Sequence, residues 1–148
     1  MKKEYRSLII GSVAGAVLLL ALAGILIYRA PVRLGRRYQE LLSSSFTGQL
    51  RLDGADPLQM QLSDPEVRKI LHECKVTRAV RECADEAGSI LVETVGEPQI
   101  CIEACRDGHV FVTTDRNGEP EESFWKDDGE LFEALYDCHL RNAGVDPS

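Results

Sequence analysis

The side chains able to do covalent or metal chemistry are few: cysteines at 74, 83, 101, 105 and 138, and histidines at 72, 109 and 139. Thiols can pair as disulfides, bind a metal or attack a substrate, and each use demands its own spacing. Cys101 and Cys105 stand four apart in a β-rich run. At about 3.3 Å per residue along a strand their Cα atoms are roughly 13 Å apart, well beyond the roughly 4.4–6.8 Å of a disulfide. They cannot bridge each other on a regular strand. Cys74 and Cys138 fall on the apolar stripes of predicted helices, where thiols pack as small hydrophobes, and reduced packing is the first expectation. Export of the domain would favour pairing between a helix cysteine and a strand cysteine, and the odd count leaves at least one thiol free or intermolecular.

For metals, His72 with Cys74, Cys101 with Cys105, and Cys138 with His139 offer soft ligands. None has the two-residue Cys spacing or the paired-helical His spacing that marks a zinc site. The alternative reading is a thiol-redox or metal-binding site made from Cys101, Cys105 and a facing cysteine, Cys74 or Cys138, or a histidine; without Cys-x-x-Cys its redox form lacks the usual motif. Asp115, Asn117 and Glu119 alternate as calcium ligands do, but the glycine and glutamate that complete such a loop are missing. Acids are too plentiful for one pair to stand out as general acid and base, and neither a Gly-x-Ser-x-Gly turn nor a phosphate-cradling glycine loop occurs. The inventory points to a non-catalytic protein with no cofactor and no metal.

What positions these residues begins with Leu8 to Tyr28, a run with no charged residue, flanked by Lys2, Lys3 and Arg6 before it and Arg29, Arg33, Arg36 and Arg37 after it. About 20 apolar residues cross a bilayer core as a helix, so residues 8–28 are expected to lie in lipid as a single transmembrane span. Ala21-Leu22-Ala23 resembles a signal-peptide cleavage site, but the apolar run continues past it to Tyr28, which favours a retained anchor. Ser7, Gly11 and Gly15 recur every four residues, a spacing that lets two helix backbones approach and so suggests a homodimer through this helix; Gly and Ala are also common in membrane helices at large.

Charge divides the chain. Residues 1–37 hold seven Lys and Arg against Glu4, a net +6, and from a total of −7 the remainder is left with −13. Such a domain repels nucleic acid, whose phosphates are neutralised by Lys and Arg. Basic residues balance across the span; Arg29, Arg33, Arg36 and Arg37 would sit well against anionic cytoplasmic lipid, whereas a short basic head, one anchor and one globular domain is the layout of an exported domain, and the outward reading is preferred. The expected location is the cell membrane, single-pass, with the C-terminal domain outside the cytoplasm.

The expected organisation is residues 1–37 as basic flank, transmembrane helix and juxtamembrane arginines, 38–45 as linker, and 46–148 as an acidic α+β domain. Apolar residues at 34, 38, 41 and 42 suggest that helix continues toward Leu42, with kinks at Pro31 and Gly35. Leu50 and Leu52, then Leu58, Met60 and Leu62, alternate with polar residues as a half-buried hairpin. Ser63-Asp64-Pro65-Glu66 opens a helix by capping box, with Val67, Ile70, Leu71 and Cys74 on its inner face. From Val76 the pattern allows either a short strand or a second helix through Val80, Cys83, Ala84 and Ala87. Ile90–Val95, Ile100–Cys105 and Val110–Thr114 read as a meander, residues 115–120 as a loop, and Asp127-Asp128-Gly129-Glu130 as the start of a last helix with Leu131, Leu135 and Cys138 inside. The fold class is thus α+β: an N-terminal transmembrane helix, then a small antiparallel sheet covered by two helices. Its expected role is to bind a protein partner or to sense. Phe124 and Trp125, beside Glu121, Glu122 and Asp127, are the first contact residues to expect if exposed, although such aromatics more often belong to a core.

Overall fold

The opening run contains no proline and forms one unbroken helix, α1, from Lys2 to Tyr28. This comes from a computed structural model that describes residues 2–80, 88–116 and 118–145, with side chains for all of these except 2–12 and 116. Contacts divide the chain into two units, Met1–Ala30 and Pro31–Ser148. In the first unit every described side chain, from Val13 to Ala30, is exposed. Among the described residues no helix is long and apolar enough to cross a membrane; in α1 the side chains described are those of residues 13–28.

Helix does not continue to Leu42. A residue before proline is driven out of the helical region, and α1 stops ahead of Ala30-Pro31. A two-residue strand β1 (Val32–Arg33), a single turn α2 (Leu34–Arg37) and a 3-10 turn (Gln39–Leu42) follow. Leu34, Tyr38 and Leu41 are buried in the domain core, so part of the expected juxtamembrane segment and linker is packed structure. Gly35 makes the approach close: a Cβ there would lie 2.8 Å from the Cα of His72.

The remaining strands are β2 (Ser45–Arg51), β3 (Leu58–Met60), β4 (Lys75–Arg78), β5 (Ser89–Val95), β6 (Ile100–Cys105), β7 (His109–Arg116) and β8 (Glu119–Lys126), with helices α3 (Asp64–Glu73) and α4 (Glu130–Asn142). They form one eight-stranded sheet in the order β1-β4-β8-β7-β6-β5-β2-β3, every pair antiparallel. Ile90, Val92, Ile102, Val110, Val112 and Trp125 point to one face, and there α3 sets Val67 and Leu71 and α4 sets Leu131, Phe132, Leu135 and Cys138. The fold is therefore α+β, with a sheet larger than the alternation suggested.

Three local expectations change, and the alternative left open at Val76 resolves as a strand. Residues 115–120 are a tight hairpin, with Arg116 paired to Glu119 and Gly118 at φ +81; Asn-Gly is a turn pair of this kind. Leu52 and Leu58 are about half exposed because β2 ends at Arg51 and β3 begins only at Leu58, at the sheet margin. The capping box at α3 does not form: Ser63 makes no side-chain cap, Asp64 Oδ1 accepts the Phe46 N–H at 2.9 Å, and Glu66 turns toward α4. Lys75–Arg78 is the strand β4, and the rival helix through Cys83, Ala84 and Ala87 lies outside the described residues.

Candidate functional site

Side chains alternate along a strand, so covering one face of the sheet leaves the other with its own set. The ladder register aligns Gln49, Leu91, Glu103, Phe111 and Phe124 in one row across β2, β5, β6, β7 and β8. Arg51, Ser89 and Cys105 form the row on one side, and Thr47, Glu93, Cys101, Thr113 and Glu122 the row on the other. This face is turned away from α3 and α4. A solvated antiparallel face is ordinarily polar, yet here Leu91 is buried and Phe111 and Phe124 are half-buried. The two phenylalanine rings meet edge to face, with centroids 5.5 Å apart at 81°.

Glu103 is the charged centre of the row. Ser89 Oγ donates to its Oε1 at 2.7 Å, and Arg51 Nη1 lies 3.8 Å from the same oxygen. The face thus joins an apolar aromatic half, on β7 and β8, to a carboxylate–guanidinium pair on β6 and β2. Such a surface can exclude water around two rings while fixing orientation by charge. Of the two neighbouring aromatics singled out in the sequence, Phe124 belongs to this face and Trp125 to the core. Trp125 Nε1 has no acceptor among the described residues, and the Arg78 guanidinium lies over the ring, 5.7 Å from its centroid.

The cysteines are not brought together. Cys101 and Cys105 line the face away from α3 and α4, whereas Cys74 and Cys138 pack with the core on the helical side; none of these four is in a disulfide, and Cys83 lies outside the described residues. Burial, then the charges of Asp127 and Glu130, pushes the Cys74 thiol up to about 12. Burial, then Glu93 and Glu103, pushes Cys101 up to about 11. Cys138 is raised as well, chiefly by burial, and donates its proton to Glu66 Oε2 at 3.1 Å. A thiolate is the nucleophile and the metal ligand, so these environments hold the sulfurs in their unreactive form.

The remaining polar groups serve packing. Asp127, buried, accepts the N–H of Gly129 at 2.9 Å and of Leu131 at 2.8 Å and so caps α4 from ahead of it. His139 Nδ1 accepts the Gln61 N–H at 3.0 Å, and Asp107 holds both the ring and the N–H of His109. Among the described residues no group of three or more His, Cys, Asp and Glu is placed to hold a metal ion. A cleft of about 330 Å³ sets Lys75 and Lys126 against Asp127, Asp128 and Glu130; its charges largely oppose one another, and Asp127 is already bonded.

Of the helix-pairing residues, Ser7 and Gly11 lie on α1 with side-chain positions outside those described, and no atom lies within 4 Å of a Cβ built at Gly15. Sequence reasoning passed over Leu91, Glu103, Phe111 and Arg51. Their signal was the odd-numbered phase of β5, β6 and β7, where Leu91, Cys101, Cys105 and Phe111 interrupt an otherwise polar face. No protein-family model, no curated protein and no solved structure matches the chain.

Proposed function

We propose that this chain is a single-pass membrane protein that displays a small acidic α+β domain, and that the domain binds a protein partner through the face of its sheet opposite α3 and α4, without catalysis. One observation carries the binding reading: the buried Leu91 and the edge-to-face pair Phe111 and Phe124 stand on a face that neither α3 nor α4 covers, next to the Arg51–Glu103 pair. Aromatic side chains bordered by polar groups are the usual centre of a protein interface. The raised thiols of Cys74 and Cys101 support a non-catalytic role.

The anchor is supported by the sequence of residues 8–28 together with the continuity of α1. At about 1.5 Å per residue that stretch spans roughly 30 Å, the thickness of a hydrocarbon core. Exposed Val17, Leu18, Leu19, Leu20 and Leu26 would be solvated by lipid chains. The domain stands outside the cytoplasm, as the short basic head followed by one anchor and one globular domain suggests.

Two measurements test this. Alkaline carbonate should leave the full chain in the membrane pellet, and protease added to intact cells should cleave the domain; release into the supernatant removes the anchor, and full protection reverses the sidedness. A photo-crosslinking residue at 111 should then give discrete adducts in cells, while the same residue at exposed Lys69 on α3 gives none. Equal yields at both positions would dismiss the sheet face as the contact surface.

A further inference from the structure

From Pro31 onward acids outnumber Lys and Arg by 23 to 13, so an arginine there readily finds a partner. Arg51, Arg68 and Arg141 have carboxylates at 3.8, 4.0 and 3.9 Å. Arg78 and Arg106 lie over the rings of Trp125 and Phe132. Arg33, Arg36 and Arg37 stand apart: all three are exposed, and among the described residues none is joined to a carboxylate or a ring. Three guanidiniums within five residues, unpaired among the described residues, form a local positive patch in a negative domain.

We infer that Arg33, Arg36 and Arg37 form a basic collar that binds the anionic headgroups of the phospholipid leaflet next to the domain. The inference rests on the reading of residues 8–28 as a membrane anchor. Arg33 follows Tyr28 by only five positions and Arg37 by nine. A fully extended chain covers at most about 3.6 Å per residue, so the covalent tether keeps Arg33 within roughly 18 Å of the end of the apolar run, inside headgroup reach. The guanidinium fork matches phosphate oxygens in pairs.

The backbone that carries the three arginines is already fixed. Leu34 is fully buried, Gly35 sits against the backbone of His72, and the Leu34 N–H donates to the Cys74 carbonyl at 3.1 Å. Binding then orders side chains only, which lowers its entropic cost. The collar also answers an electrostatic problem. A domain carrying this excess of acids is repelled by anionic headgroups on either side of a membrane, and the three arginines offset that repulsion where the chain meets them.

The test uses the full chain in neutral detergent, titrated with phosphatidylglycerol or phosphatidylcholine and read by native mass spectrometry. Wild type should retain phosphatidylglycerol preferentially, and R33Q/R36Q/R37Q should bind it roughly a hundred-fold more weakly, about five-fold per arginine. R33K/R36K/R37K, which keeps the charge, should retain most of the binding, and high salt should weaken wild type toward the glutamine variant. Equal retention of the two lipids by wild type, or equal binding by wild type and the glutamine variant, overturns the collar. Binding of inorganic phosphate as tight as that of the lipid also overturns it in favour of a free-anion site. Carbonate extraction separates the two readings: wild type released from membranes fails the anchor and the collar together, whereas wild type retained without lipid preference fails the collar alone.

Discussion

Asp127→Ala is expected to be the most damaging single polar substitution in the α4 region. Asp127 is the hinge between β8 and α4: its N–H donates to the Gly108 carbonyl at 2.8 Å, and its two carboxylate oxygens accept from Gly129 and Leu131. Gly108 must be glycine at this point, because it sits at φ +90 and a Cβ would strike the Asp127 carbonyl oxygen. Alanine at 127 keeps the backbone bond and leaves the Gly129 and Leu131 N–H groups without acceptors in a buried place. Loss of a helix cap costs about 1 kcal/mol, and each stranded buried donor about 1–3 kcal/mol. Some water entry offsets part of that, which gives a net loss of about 2–4 kcal/mol. Urea unfolding of the full chain in detergent, followed by the fluorescence of Trp125, reads it directly: this is the only tryptophan and is nearly fully buried. With a slope of about 1.5 kcal/mol per molar urea, the midpoint should fall by roughly 1.3–2.7 M. Asp127→Asn, which keeps one acceptor, should lie between, and Asp128→Ala at the exposed neighbour should stay within about 0.5 kcal/mol of wild type. If Asp127→Ala matches Asp128→Ala, the two hydrogen bonds do not hold the start of α4 and the reasoning fails.

Two further outcomes follow from the titrating groups. The carboxyl of Glu66 is held below its ordinary 4.5, first by the Cys138 thiol, next by Asn142, with Arg141 and Lys69 adding to it. A carboxylate favoured by the fold contributes stability above the unfolded value and loses it as pH falls through the lowered folded value. The stability gap between wild type and Glu66→Gln, measured by denaturation from pH 7 to pH 3, should therefore narrow below about 4.5 and not above it; a constant gap would separate Glu66 from the pH dependence. Cys74 and Cys101, raised to about 12 and about 11, hold at most a trace of thiolate at pH 8. Iodoacetamide labelling of the folded chain, counted by mass spectrometry, should run on the order of a hundred-fold slower at these two than at a free thiol, and labelling at the free-thiol rate would contradict their surroundings.

Much of the fold was legible because its signals are local. The alternation in residues 90–95, 100–105 and 110–114 set three central strands, and the stripe at Leu131, Leu135 and Cys138 set α4. What escaped depends on partners distant in sequence. Glu119 to Lys126 reads as charged and polar, with Pro120 among glutamates, because much of it lies along a part of the sheet margin that β4 does not reach: β4 pairs only with Trp125 and Lys126. Charge and proline suit such an edge, where they discourage pairing with another chain. Leu34, Tyr38 and Leu41 keep a helical spacing, yet Pro31 breaks the helix and packing folds the segment onto α3. Here tertiary contact overrode periodicity. Glu66 stood where a capping box wants it, but a bond to Cys138 across seventy-two residues won over a local one.

The candidate face was hidden for a related reason. On a half-buried strand the core phase is easy to read and the other phase looks like filler, so Leu91, Glu103 and Phe111 passed as ordinary strand residues until the register set them in one row with Phe124. The arginines show the complementary limit. Their type and number are plain in the sequence, and seventeen Lys and Arg against twenty-four acids suggest that every one could be neutralised. Only the structure separates the two kinds: among the described residues Arg51, Arg68 and Arg141 are committed to carboxylates, and Arg33, Arg36 and Arg37 are not. A charge already paired offers little to an outside ligand, because binding it means first giving up the internal bond. Unpaired guanidiniums carry no such debt, which is why the short stretch after Pro31, and not the more numerous charges of the domain beyond it, is where contact with a charged surface concentrates.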